Sequence, residues 1–68
     1  MIKPYLYLNL LKEMRKKGEK MQDICQLLDV SYFTLEKRLA GITQWTIGEI
    51  ETLCNHYNKN YYELFEKE

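Results

Sequence analysis

The stretch from Met21 to Leu39, MQDICQLLDVSYFTLEKRL, constrains this chain more than any other. Met21, Ile24, Cys25 and Leu28 recur at i, i+3, i+4 and i+7, the spacing of one buried helical face. A second helix is expected from about Tyr32 to Ala40, with Ser31 as the N-cap whose hydroxyl accepts from a free backbone N–H of the first turn. Only Asp29, Val30 and Ser31 lie between the two. So short a connection makes the helices cross steeply, with Val30 driven into the angle.

The rest of the chain is read outward from that pair. Met1 to Lys3 are expected as a loose arm. Pro4 suits the first position of a helix, where its missing N–H costs nothing. That helix runs to about Lys17, with Tyr7, Leu10, Leu11 and Met14 inward. Arg15, Lys16 and Lys17 complement its negative end, and Gly18 supplies a left-handed stop. The first motif helix lacks a Ser, Thr, Asp or Asn cap, and Asp23 near its start compensates through the dipole. Asp29 stands where positive φ is needed, a conformation that glycine accepts freely and aspartate only occasionally.

Beyond the motif, Ala40-Gly41 ends the second helix, and Ile42 to Trp45 form a loop. Thr46 and Glu49 make a capping box for a fourth helix, whose buried face is Ile47, Ile50, Leu53, Cys54 and Tyr57. Trp45 precedes the cap at the position of a hydrophobic staple against Ile50. Asn60 caps a last short helix, Tyr61 to about Phe65, that returns Leu64 and Phe65 to the core. The expected fold class is all-α, a single domain of five helices.

Composition excludes several classes. A 68-residue chain buries only about 60% of the surface it exposes when unfolded. Its core is small, but 46% apolar residues, with one Trp, six Tyr and two Phe, suffice without a disulfide or a structural metal. Cys25 and Cys54 show no ligand spacing and read as small, reduced core residues. His56 is alone and reads as a surface residue, not a metal ligand. No apolar run approaches a membrane span and no signal-peptide pattern opens the chain, so a cytoplasmic protein is expected. With no nucleophile beside a base and no phosphate-binding glycine loop, neither an enzyme, a cofactor nor a small-molecule ligand is expected.

The net charge of zero conceals an asymmetry. Residues 1–38 hold eight Lys or Arg against five acids, and residues 39–68 hold two against five. Such a dipolar molecule can present a positive face to a polyanion while neutral overall.

The run DVSYFTLEKRLAGITQWTIGEI, with ICQLL before it and NHYNKNYYELF after it, resembles the helix-turn-helix domain of phage Cro and lambda-type repressors, the XRE family. Its KRLAG and WTIGEI portions are most similar to small phage-encoded regulators. The resemblance covers about residues 7–65. It departs from the family pattern at Met21, where a phosphate-touching Gln is common, at Asp29 in place of Gly, and at Tyr32, Phe33 and Glu36 in place of small polar residues. It implies a lambda-repressor-like fold and a transcriptional regulator acting in a bacterial host.

Helix geometry adds candidate contacts. If Leu35 and Leu39 face the core, Tyr32, Phe33, Glu36 and Lys37 lie outward. Lys37 could then donate to guanine O6 and N7, Glu36 could accept from cytosine N4, Phe33 could cover a thymine methyl, and Tyr32 could reach a base edge or a phosphate. Alternatively, Phe33 tucks against the first motif helix and Glu36 pairs with a neighbouring Lys. Lys20, Gln22, Ser31, Thr43 and Gln44 are the expected phosphate contacts, or else a solvated polar surface. The expected partner is double-stranded operator DNA, bound by a homodimer that forms free or only on the DNA. Trp45, Tyr61, Tyr62 and Phe65 are the expected self-contact unless all four fill the core. The rival is a protein-interaction module on the same fold, such as an antirepressor, an antitoxin or a phage inhibitor of a host complex.

Overall fold

The computed structural model describes residues 5–66, and within them every regular element is a helix. The order is α1 (Leu8–Lys16), α2 (Met21–Leu28), α3 (Tyr32–Leu39), α4 (Ile47–Tyr57) and α5 (Tyr61–Phe65). The expectations for Met1 to Lys3 and for Pro4 fall outside the described residues. The first helix starts later than the sequence suggested, because Tyr5, Leu6 and Tyr7 run as a non-helical strap. The Leu6 N–H donates to the Leu39 carbonyl at 2.8 Å, which diverts the backbone from a helical turn to the end of α3.

One device ends each of the first four helices. A residue with positive φ follows the helix: Gly18 (φ 70°), Asp29 (58°), Gly41 (77°) and Asn58 (54°). The next N–H then returns to the carbonyl five residues back, in the pairs Glu19 to Met14, Val30 to Cys25, Ile42 to Lys37 and Lys59 to Cys54, all 2.9–3.0 Å. These bonds occupy carbonyls that a helix end otherwise leaves bare. Gly41 is also crowded, since a Cβ there would lie 2.6 Å from Leu6 Cδ1.

The helix starts are equally local. Ser31 Oγ accepts the Thr34 N–H at 3.1 Å. Thr46 and Glu49 form the expected reciprocal capping box, and Asn60 and Glu63 form a second. At α2 the Asp23 carboxylate accepts the Lys20 N–H at 2.8 Å, half a capping box where only a dipole effect was expected.

Each helix contributes two buried apolar residues to one core: Leu10 and Met14, Ile24 and Cys25, Leu35 and Leu39, Leu53 and Tyr57, Leu64 and Phe65. Helix α1 packs on α5, α2 on α3 and α4, and α4 on α5. Both cysteines are free thiols, Cys25 buried and Cys54 half-buried, and burial pushes both thiol pKa values up.

Two packing expectations change. Ile47 is 77% exposed and leaves the buried face of α4, because the first helical position points away from the core that Ile50 and Leu53 approach. Phe65 is core, and Trp45 is half-buried with its ring edge-on to Phe65 (centroids 5.2 Å) and Tyr7 (5.8 Å). Of the four aromatics expected at a self-contact, only Tyr61 and Tyr62 remain exposed. Trp45 and Ile50 line one hollow.

Candidate nucleic-acid interface

Helix α3 is held along one side and at both ends. Leu35 and Leu39 are fully buried. Ser31 fixes the start, its hydroxyl accepting from the Thr34 N–H and donating to Thr34 Oγ1 at 2.9 Å. Near the end, Arg38 Nε lies 2.7 Å from Glu49 Oε1, which also accepts the Thr46 N–H, while the Arg38 guanidinium donates to Thr43 Oγ1 at 3.0 Å. Both members of the ion pair are largely buried, so the link is screened little by salt and joins the end of α3 to the start of α4.

The other side of α3 carries the candidate base-reading residues, with one correction. Tyr32 is 50% and Phe33 59% exposed. The Lys37 ammonium sits over the Phe33 ring, 4.9 Å from its centroid. Phe33 therefore does not tuck against α2. Glu36 is only 5% exposed and faces inward, where its Oε2 accepts the Tyr5 hydroxyl proton at 2.9 Å. The expectation that Glu36 lies outward, to meet a cytosine or a neighbouring Lys, is overturned. A buried carboxylate needs a donor, and the strap supplies one from 31 residues away. Burial, and then the Glu36 acceptor and its charge, raise the Tyr5 pKa from 10.0 to about 12.

The candidate phosphate contacts divide. Lys20, Gln22 and Gln44 are exposed. Ser31 is exposed with its hydroxyl engaged in the cap. Thr43 is half-buried and accepts from Arg38, so its oxygen already serves the scaffold. From the sequence, Arg15 is expected only as a charge closing the first helix. It is exposed, and it lines a hollow with Lys20, Met21 and Tyr5. The signal available in the sequence was its position one turn after Leu11, on the margin of the inward stripe.

A second polar cluster lies where α1, α2 and α4 meet. Glu19 accepts the Tyr57 hydroxyl at 2.6 Å and lies 2.5 Å from His56 Nε2. Lys17 donates to the His56 carbonyl at 2.9 Å and stands over the Tyr57 ring. Burial alone would raise the Glu19 pKa, but the Tyr57 and His56 hydrogen bonds and the charges of His56 and Lys17 outweigh it and hold the carboxyl below its ordinary value. Burial and the Glu19 carboxylate push the Tyr57 hydroxyl well up. His56 is thus a half-buried partner of Glu19 and not a bare surface residue. No group of three or more His, Cys, Asp or Glu side chains converges as a metal site among the described residues, and no helix among them is long and apolar enough to cross a membrane. The chain matches no family model, no curated protein and no solved structure.

Proposed function

We propose that this chain is a sequence-specific DNA-binding transcriptional regulator of the Cro and lambda-repressor type, in which α2 and α3 form a helix-turn-helix and α3 enters the major groove. The observation that carries the reading is the outward side of α3, where Tyr32 and Phe33 are exposed and the half-buried Lys37 places its ammonium over the Phe33 ring. An α-helix fits the major groove, and an ammonium there meets guanine acceptors. Lys20, Gln22 and Arg15, exposed near the start of α2, suit the flanking phosphates. Two copies on half-sites about one helical turn apart would double the contacts, and exposed Tyr61 and Tyr62 are the surface for self-contact.

The test is a salt-dependent gel shift on DNA flanking the chain's own gene. Lys37→Ala is expected to cost roughly 1–3 kcal/mol and relax preference at one base pair, while Lys20→Ala weakens all sequences alike and lowers the salt slope by about one. Equal losses from both substitutions on specific and random DNA would refute base reading by Lys37. Sedimentation with a palindromic operator tests the assembly, and a one-to-one complex refutes the dimer. The second reading, a protein-interaction module such as an antirepressor or antitoxin, draws on Tyr62 at 75% exposure and on a net charge of zero. It is favoured if no duplex shifts at low salt.

A further inference from the structure

The side chains of Phe33 and Lys37 are four residues apart on α3, and the Lys37 ammonium lies 4.9 Å from the Phe33 ring centroid. Phe33 is 59% exposed and Lys37 is half-buried, so an incoming surface meets the ring with the ammonium at its face. Glu36, the acid adjacent to Lys37, is turned inward on Tyr5 and does not draw the ammonium away. The outward side of α3 therefore presents an aromatic ring, a cation and the Tyr32 phenol, with no carboxylate. Such a surface favours hydrogen-bond acceptors and methyl groups, and offers the amine of cytosine no carboxylate.

Resting on the DNA reading above, we infer that Phe33 and Lys37 act as one unit that reads two neighbouring base pairs, a thymine through its methyl group and a guanine through O6 and N7. The spacing carries the step. Successive bases on a strand are about 3.4 Å apart along the helix axis, and a ring and a cation held 4.9 Å apart can address adjacent steps without either side chain stretching. Phe33 is both a contact to thymine and the positioning residue for Lys37, because the ring face holds the ammonium against the freedom of a four-carbon stem. Glu36 reads no base.

Selection from randomised duplexes by the intact chain, followed by titrations on the selected site, tests this. The wild type is expected to enrich a site with thymine and guanine in neighbouring pairs. Lys37→Ala removes the guanine preference, about tenfold, and leaves the thymine preference. Phe33→Leu retains an apolar contact to the methyl but relaxes the guanine preference about threefold, because the ring that held Lys37 is gone. Phe33→Tyr keeps the ring and both preferences. Replacing the thymine by uracil deletes only the methyl group and should weaken wild-type binding, but should cost the Phe33→Ala variant nothing, since that variant has no ring to cover the methyl. Guanine discrimination unchanged in Phe33→Leu, or preferences of Phe33 and Lys37 at separated positions, would overturn the inference while leaving DNA binding intact. A wild type that enriches no sequence overturns the DNA reading and this inference with it.

Discussion

At the junction of α1, α2 and α4, Glu19 is held by Tyr57 and His56, and Lys17 by the His56 carbonyl. On the outer side of α3, the half-buried Lys37 has its ammonium over the Phe33 ring, and Tyr32 and Phe33 face solvent. The first cluster joins segments 37 and 38 residues apart in sequence, so its hydrogen bonds act as cross-links within the fold. The second joins residues on one helix and ties nothing together. Polar groups that hold the fold are therefore separated from groups presented to solvent, and substitutions in the two regions should have different readouts.

The largest effect tests the scaffold beneath the presented face. Leu39→Ala, at a fully buried site under the strap, is expected to destabilise by about 2–5 kcal/mol in denaturant titration. Phe33→Ala on the opposite side should stay within about 0.5 kcal/mol. Similar losses from the two would erase the distinction.

Next comes the junction itself. Glu19→Ala leaves the Tyr57 hydroxyl and His56 without their acceptor and should cost about 1–3 kcal/mol at neutral pH. Because the folded state lowers the Glu19 pKa from its ordinary 4.5, its contribution is present above that value and is lost as pH falls through the lower folded value. Wild-type and variant stabilities should converge in acid, and parallel curves would assign the effect to packing.

Smaller, and of opposite sign in pH, is the strap. Folding raises the Tyr5 pKa from 10.0 to about 12, so the contribution is full below pH 10 and lost as pH climbs through that interval. Tyr5→Phe should cost about 1 kcal/mol at neutral pH and flatten the alkaline slope that remains after Tyr57 is accounted for.

The smallest change expected is at the turn. Asp29→Gly relieves a left-handed aspartate (φ 58°) and should be neutral or stabilise by up to about 1 kcal/mol. A loss would mean that the carboxylate itself contributes to the turn.

What could be read from the sequence was what is decided within a few residues. The Ser31 cap, the Thr46-Glu49 box, the left-handed Asp29 and the bounds of α2 depend on neighbours no more than five positions away, and they lie where the residue types placed them. Apart from Ile47, which the first position of α4 turns outward, the errors fall where a distant segment decides. Glu36 follows Leu35 on the rim of the buried stripe, where helical spacing alone permits either direction, and it turns inward because Tyr5 meets it. Tyr5 to Tyr7 leave the helical path because Leu39 offers a carbonyl. His56 gains a partner only because Gly18 bends the chain and brings Glu19 beneath α4. For the candidate interface, Tyr32 and Phe33 were legible as exposed, whereas the pairing of Phe33 with Lys37 required rotamers that spacing does not give.

The fastening of α3 has an evolutionary consequence. Leu35, Leu39, Glu36 and Arg38 anchor the helix from beneath and at its end, so positions 32, 33 and 37 can change identity with little effect on folding. On the proposed DNA reading, a lineage carrying this scaffold could retarget by substituting three side chains, each step surviving as a folded protein. Drift at those three positions should accordingly outpace drift at their immediate neighbours.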